Sequence, residues 1–350
     1  MRLALVSDAW HPQVNGVART LAALHSGLEA VGHKVFALTP DLFYTMPCPT
    51  DREVRLAVGG APRLMRLLDT LEADAIHIAT EGPLGSAARR YCITRGLRFT
   101  TAYHTRYPEY LKARFGVPAS WTYAILRRFH RQSSTTMVAT ENVRRELMAN
   151  GFERLAVWTR GVDITLFRPG GAPAVDLPRP VFLCVSRIAA EKNLPAFLDL
   201  DLPGSKLVVG HGHLLPELKR RYPNVHFAGC QQGEALVRHY AAADAFVLPS
   251  RTETFGLVLL EALACGLPVA ALPVPGPLDV IGSSGAGALD WDLCAAAMAA
   301  LEIPRATCRS HAERFSWKVS TAQFLKHLVP VHNSLRANCC AELSDGAAAV

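Results

Sequence analysis

The stretch PSRTETFGLVLLEALACGLPVA, residues 249–270, follows the apolar run Ala245-Phe246-Val247-Leu248. Short and wholly apolar, that run predicts a strand buried on both faces. The PSRTET segment then forms a loop at the strand's carboxyl end, and a helix starts near Phe255–Gly256. Glu261 stands eight residues after Glu253, inside an otherwise apolar helical pattern. A carboxylate buried in a helix is costly unless it is paired or hydrogen-bonded. The first turn of this helix offers unpaired N–H groups to an anion, and the two carboxylates can accept from hydroxyls. A helix-start acid and a core acid held in a salt bridge would give the same pattern.

Outward from this unit the alternation of strand and helix recurs. Val269–Leu272 reads as the next strand, and Val181–Ser186, Lys206–Gly210 and Val225–Ala228 precede it, separated by helical patterns. The first half repeats the scheme with Leu3–Ser7, Val35–Thr39, Val54–Val58, Ala75–Ala79, Phe99–Tyr103 and Met137–Thr140. Leu21, Leu24, Leu28 and Val31 mark a helix over about Val17–Val31, with Gly32 just past its end. Between the halves, RPGGAPAVDLPRP (168–180) holds four prolines and two glycines, a loop composition. The chain has 350 residues, beyond the range of about 250 to 300 in which a single core stops growing. The pattern predicts an α/β protein of two doubly wound parallel-sheet domains, residues 1–168 and 169–311, facing each other across a cleft. A helix over about 312–337 is expected to pack back on the first domain, and residues 338–350 to form a disordered tail.

In such sheets ligands bind beyond the carboxyl ends of the strands. The first strand ends at Ser7 and Asp8, and a loop carrying Asn15 and Gly16 leads into the first helix. A glycine there either permits the turn or lets backbone N–H groups approach an anion. No G-x-G-x-x-G follows the strand, so the dinucleotide fingerprint is missing. The second domain's first strand ends in VSRIAAEKNL, with Arg187 and Lys192 flanking Glu191. At about 4 Å and an effective dielectric near 20, each cation would attract a phosphate charge by on the order of 4 kcal/mol before desolvation.

Half the residues are apolar and 19% are charged, which excludes a disordered or fibrous chain. The net charge of +7 is unevenly placed: residues 1–170 carry +8 and the rest −1. Residues 89–131 alone hold ten basic side chains and one acid, Glu109. Nine cysteines show no Cys-x-x-Cys spacing, and several sit in apolar runs, which suits reduced thiols in a cytoplasmic protein. The apolar run after Arg2 is far too short for a signal-peptide core and reads as a strand. Leu257–Gly276 approaches membrane-spanning length but holds Glu261, Gly266 and prolines 268, 273 and 275. It reads as a buried helix, a turn, a short strand and a Pro-rich loop. Asp199-Leu200-Asp201 and Asp290-Trp291-Asp292 have D-x-D spacing but fall away from the strand ends, so no metal site is expected.

Taken together, ETFGLVLLE, the SRIAAEKN loop and RGVD (160–163) resemble the retaining glycosyltransferases of family four, which have the two-domain GT-B fold. The likeness runs from SDAWHPQVNGVART (7–20) through AYHTRYPEYL (102–111) to PVPGPLDVI (273–281). It implies a metal-independent hexosyltransferase without a cofactor, whose substrate is a UDP- or GDP-sugar. By that resemblance Arg187 and Lys192 would neutralise the diphosphate, and Glu261 would accept from the ribose hydroxyls. Glu253 and the backbone of Thr254, Phe255, Gly256 and Leu257 would hold the transferred sugar and its phosphate. Gly16 would close on the diphosphate from the opposite domain, and His104 would approach the sugar near the reacting carbon. The catalytic group is thus expected to be His104, Arg187, Lys192 and Glu253. The family's G-x-G-P turn reads Gly210-His211-Gly212-His213 here, and Ser186 replaces the glycine that often precedes Arg187.

Residues 105–131 interleave Arg106, Lys112, Arg114, Arg127, Arg128 and Arg131 with Tyr107, Tyr110, Phe115, Trp121, Tyr123 and Phe129. Such a mixture fits a surface resting on anionic lipid, or a basic helical face whose aromatics belong to the core. No nucleic-acid module accompanies it, so nucleic acid is not an expected partner. Similar enzymes include diacylglycerol glycosyltransferases, sulfoquinovosyl-diacylglycerol synthases and phosphatidylinositol mannosyltransferases. The resemblance therefore points to a membrane lipid as acceptor and to a peripheral place on the inner face of the cytoplasmic membrane. The alternatives are a GDP-mannose-dependent mannosyltransferase extending a soluble or lipid-linked glycan, and a binding protein that has lost transfer.

Overall fold

The computed structural model describes residues 1–13, 15–48 and 51–332. The expected 312–337 helix is shorter than the sequence pattern suggests, spanning Trp317–His327 and giving way to extended backbone at Leu328, while residues 333–337, Cys339, Cys340 and the expected tail lie outside the described residues.

The first half runs β1 (Arg2–Val6), α1 (Gly16–Ala30), β2 (Lys34–Leu38), β3 (Thr45–Cys48), β4 (Asp51–Ala57), α2 (Ala61–Leu71), β5 (Ala75–Ile78) and α3 (Pro83–Thr94). It continues with β6 (Thr100–Tyr103), α4 (Tyr107–Phe115), α5 (Ala119–His130), β7 (Thr135–Val138), α6 (Glu141–Ala149) and β8 (Leu155–Val157). The second half runs β9 (Val181–Val185), α7 (Pro195–Leu198), β10 (Ser205–Val209), α8 (Leu215–Arg221), β11 (His226–Gly229), α9 (Gly233–Ala241) and β12 (Ala245–Leu248). After it come α10 (Leu257–Ala264), β13 (Val269–Ala271), α11 (Pro275–Val280), β14 (Gly287–Leu289), α12 (Leu293–Ala300), α13 (Arg305–Ala312) and α14 (Trp317–His327).

Each half builds one six-stranded sheet, in the orders β2-β1-β5-β6-β7-β8 and β11-β10-β9-β12-β13-β14. The pairings within both are parallel. Helices cover both faces, which is why the strands read as continuous apolar runs. In the second sheet Val181, Leu183, Val185, Phe246 and Leu248 join the core on one face. Phe182, Cys184, Ala245 and Val247 join the core on the other, as the period of two requires.

The expected strand at Val54–Val58 lies in β4, yet outside the six-stranded sheet. It pairs antiparallel with β3 in a separate hairpin. Its sequence, DREVRLA, carries too much charge for a strand covered on both faces. The edge strands β8 and β14 were not foreseen, being only three residues long. Leu257–Gly276 resolves into α10, a turn, β13 and the start of α11. The prolines at 275 and 277 open that helix, where a missing N–H is tolerated. Among the described residues no helix is long and apolar enough to cross a membrane.

The chain returns to its first half at the end. α14 lies along α1, and its fully buried Phe324 sits 5.1 Å from the Trp158 ring and 4.9 Å from His77. Trp158 Nε1 donates to the Ser320 carbonyl at 3.1 Å.

Candidate active site

Strand order reverses between β9 and β12 in the second sheet and between β1 and β5 in the first. Loops on either side of such a switch point diverge and leave a crevice. In the second sheet those loops carry Arg187 and Lys192 after β9, and Glu253 after β12. The sheet topology thus brings together Lys192 and Glu253, 61 positions apart in sequence. Lys192 Nζ contacts both Glu253 carboxylate oxygens, at 2.8 and 3.1 Å. Arg187 pairs with Glu191 at 2.7 Å. Asn193 ties the loops by donating from Nδ2 to the Pro249 carbonyl at 3.1 Å. Gly212 explains why the neighbouring turn keeps its glycines: a Cβ there would fall 2.2 Å from the Ile188 carbonyl oxygen. The turn after β10 can therefore press on the loop that carries Arg187.

The helix after Glu253 begins at Leu257, slightly later than expected. Gly256 takes φ +84°, a left-handed conformation that a side chain would resist, and so ends the loop. Phe255 is buried, while Thr254 Oγ1 donates to the His104 carbonyl of the first domain at 3.2 Å. Gly16 opens α1, with Asn15 accepting from Ala18 N at 2.9 Å as its cap. A Cβ on Gly16 would meet only Leu257, at 3.9 Å. The amino ends of α1 and α10 therefore lie close together at the domain seam, and a helix amino end carries a positive dipole.

Glu261 is 2% exposed. Its carboxylate is ion-paired with Arg19 of α1 and accepts from Tyr240 Oη at 3.1 Å. Burial first, and then the Glu261 charge, push the Tyr240 hydroxyl well above its ordinary pKa. Glu261 is thus the core acid held in a salt bridge, and that bridge crosses from one domain to the other. Arg19 stands one turn into α1 from Gly16 and was not foreseen as its partner. Nor was Asp8, whose buried carboxylate accepts from Thr80 Oγ1 and from the amides of Leu84 and Gly85 at the start of α3. Burial raises its pKa, against those hydrogen bonds.

His104 follows β6, is 8% exposed, and receives a hydrogen bond at Nδ1 from Arg160 Nη2 at 3.1 Å. Arg160 is 3% exposed. Its Nη1 donates to the Trp158 carbonyl at 2.5 Å, and its guanidinium lies 4.2 Å over the Trp158 ring. Burial draws the Arg160 pKa down to about 9. Burial, and then the charge of Arg160, hold His104 well below the usual imidazole range.

The basic block divides. Lys112, Arg114, Arg128 and Arg131 are exposed, and the α5 face beside Arg128 carries Trp121 at 68% exposure and Ile125 at 69%. Arg106 departs from the expected surface role. It is held by Glu146 at 2.7 Å and Glu109 at 3.4 Å, its side chain only 11% exposed. Those two acids lie in α6 and α4, so Arg106 knits the helices together. Arg127 is exposed but turned toward α6, donating to the Asn150 carbonyl at 2.8 Å. Of the aromatics, Tyr123 is core, and its hydroxyl donates to Glu109 at 2.6 Å.

The two D-x-D segments have local work: Asp292 caps α12, and Asp199 accepts from Tyr222 Oη at 2.6 Å. Among the described residues no three His, Cys, Asp or Glu side chains cluster as metal ligands. Cys184 and Cys265 are buried thiols pushed up to about 12.

Comparison with known proteins follows the same division into halves. Residues 14–166 match the Glycosyltransferase Family 4 model, and residues 179–303 match Glycosyl transferases group 1. A GDP-mannose-dependent alpha-mannosyltransferase of Mycobacterium tuberculosis is 30% identical over 80% of this chain and 81% of its own length. The sulfoquinovosyl transferase SQD2 of Arabidopsis thaliana is 27% identical over 85% of this chain and 67% of its own. An alpha-monoglucosyldiacylglycerol synthase of Streptococcus pneumoniae is 28% identical over 86% of this chain and 78% of its own. Among solved structures, a sucrose-phosphate synthase from Thermosynechococcus elongatus aligns with TM-score 0.75 at 18% identity, covering 93% of this chain and 97% of that one. Anabaena HepE, solved with UDP and glucose, aligns with TM-score 0.70 at 15% identity over 93% and 98%.

Proposed function

This chain belongs to glycosyltransferase family 4 and is a glycosyltransferase of GT-B fold, and from that premise we propose that it moves a hexosyl group from a UDP- or GDP-sugar to a membrane lipid such as diacylglycerol. The observation that carries the reading is the switch-point cluster of Arg187, Lys192 and Glu253, in the loops that lead to α10, whose amino end lies close to that of α1. As the bond from the anomeric carbon to phosphate breaks, negative charge grows on the leaving diphosphate. Two fixed cations and two helix amino ends stabilise that charge where it develops. The acceptor hydroxyl oxygen bonds to the anomeric carbon on the same face, and its proton passes to the departing phosphate oxygen, so configuration is retained. In this reading Glu253 holds the sugar, and Glu261 accepts from the ribose in exchange for part of its pairing with Arg19.

The lipid acceptor is supported by the exposed Trp121, Ile125 and Arg128 on α5, which packs against α4 with its exposed Lys112 and Arg114, and by likeness to an alpha-monoglucosyldiacylglycerol synthase. Rings and aliphatic side chains enter the headgroup boundary while the cations meet anionic lipid. In this reading the protein works peripherally on a cytoplasmic membrane face. A second reading, GDP-mannose-dependent mannosyl transfer, is favoured by the 30% identical relative of that activity. A panel of UDP- and GDP-sugars, offered with diacylglycerol in anionic vesicles and with soluble glycans, separates the two. Glycolipid detected by mass spectrometry is the expected product; the lipid assignment fails if the protein ignores anionic vesicles and glycosylates only soluble sugars.

A further inference from the structure

Arg160 is a buried cation whose hydrogen-bond partners are neutral: the carbonyls of Trp158 and Thr159 and the imidazole of His104. A buried guanidinium is ordinarily paired with an acid, so its retention here needs a reason. Arginine is a donor only, and its hydrogen bond at 3.1 Å therefore makes His104 Nδ1 an acceptor. The ring proton is then on Nε2. That atom is buried and has no hydrogen-bond partner among the described residues. His104 itself lies at the domain seam, its carbonyl accepting from Thr254 of the second domain.

We propose that Arg160 is a positioning residue that locks His104 as the neutral Nε2–H tautomer, so that His104 donates a hydrogen bond to the bound sugar and takes no proton from the acceptor. The inference deepens the transferase reading and rests on it for the word sugar. With Nδ1 occupied and Nε2 already protonated, the ring has no lone pair to offer the acceptor hydroxyl. The proton released as the new glycosidic bond forms therefore goes to the leaving phosphate oxygen. The charged and titratable groups that face His104 are Arg160, whose charge opposes a positive imidazolium, and the rings of His77 and His130. The Trp158 ring stacks edgewise at 5.7 Å and fixes the plane of the imidazole.

The test reads the tautomer directly, by long-range proton–nitrogen correlation spectra of the histidine-labelled protein without substrate. Wild type is expected to show His104 with a bare Nδ1 and a protonated Nε2, unchanged from pH 5.5 to 8. In Arg160→Met the signal is expected to become a tautomer mixture that titrates in that range. Its kcat should fall at least tenfold, with donor KM within threefold, and its pH–rate profile should gain an acid limb. Arg160→Lys should restore the Nε2–H signature and most of kcat. A protonated Nδ1 in wild type overturns the proposal, and so does an Arg160→Met protein that loses turnover with His104 spectrally unchanged. Should Arg160→Met fail to fold, the wild-type spectrum and Arg160→Lys still decide. If no nucleotide sugar is turned over, the transferase reading fails while the tautomer is read independently.

Discussion

At the scale of single residues, the site depends on pairs that only folding brings together. Arg187→Ala removes one of two fixed cations from the proposed leaving group. Loss of a preorganised stabilising donor costs about 10²–10³ in kcat, so steady-state kinetics should show a fall of that order with a smaller change in donor KM. Wild-type kcat in that variant would remove Arg187 from the machinery. His77 makes a different prediction. It is fully buried, with Nδ1 2.8 Å from Thr100 Oγ1, and burial draws its pKa down to about 3. Since its unfolded value is near 6.5, the unfolded chain binds the extra proton between those limits, and stability must fall as pH drops below about 6.5. The His77 share of that slope approaches about 1.4 kcal/mol per pH unit. Urea unfolding at pH 7 and pH 5 should lose less stability on acidification in His77→Gln than in wild type; equal losses would mean the ring is not neutral by burial. What the sequence displays at this scale is chemistry next to a strand end. Glu253, Arg187 and Lys192 stand in such loops and were legible. Arg19 was not, because its partner Glu261 is 242 residues away, and Arg160 was quoted in RGVD without any sign of what it faces.

At the scale of elements, α5 exposes an apolar face that a membrane would cover. Trp121 and Ile125 lie four apart on it, and removing such side chains from water contributes about 1.5–3 kcal/mol each. Each nearby cation adds about 1 kcal/mol at an anionic surface, screened by salt. The double variant Trp121→Ala/Ile125→Ala should therefore partition onto anionic vesicles at least tenfold more weakly, with nucleotide binding unchanged in co-sedimentation and titration experiments. Undiminished vesicle binding would assign this face another purpose. The loop carrying Arg187 makes a second prediction. Gly212→Ala forces a Cβ to 2.2 Å from the Ile188 carbonyl. Overpacking of this kind costs about 1–3 kcal/mol, and because it displaces the loop proposed to hold the diphosphate, weaker nucleotide affinity should accompany the lower unfolding midpoint. Elements with a continuous apolar signature, such as β9 and β12, were readable from the chain. The strand at Val54–Val58 was readable but its antiparallel pairing with β3 was not, because a strand's own pattern does not say which sheet it joins, and β8 and β14 are too short to show a period.

At the scale of the whole molecule, the two domains are joined by more than the loop between them. Thr254 reaches the His104 carbonyl, Asp279 at the α11 end accepts from Asn142 N at 3.1 Å, and Arg19 meets Glu261. Only the last is an ion pair with one partner fully buried, its side chain 3% exposed against 40% for Arg19. Breaking it from the Arg19 side leaves a buried carboxylate supported by Tyr240 alone. A fully buried pair broken in this way costs about 3–5 kcal/mol; the exposure of Arg19 lets water replace part of the lost partner, so a smaller penalty is expected here. Removing the charge at both ends should relieve that penalty, since no uncompensated carboxylate remains. Urea unfolding of Arg19→Met, Glu261→Gln and the double variant should therefore give a coupling energy of about 0.5–3 kcal/mol. The same cycle separates a structural latch from a ligand site. A nucleotide that binds only the folded protein raises its stability by about 2.7 kcal/mol at one hundred times Kd. If Glu261 accepts from the ribose, Glu261→Gln should lose much of that increment with UDP or GDP, whichever the protein prefers, while Arg19→Met keeps most of it. Equal loss in both would mean that the nucleotide needs the latch intact and that the acid is not its ligand.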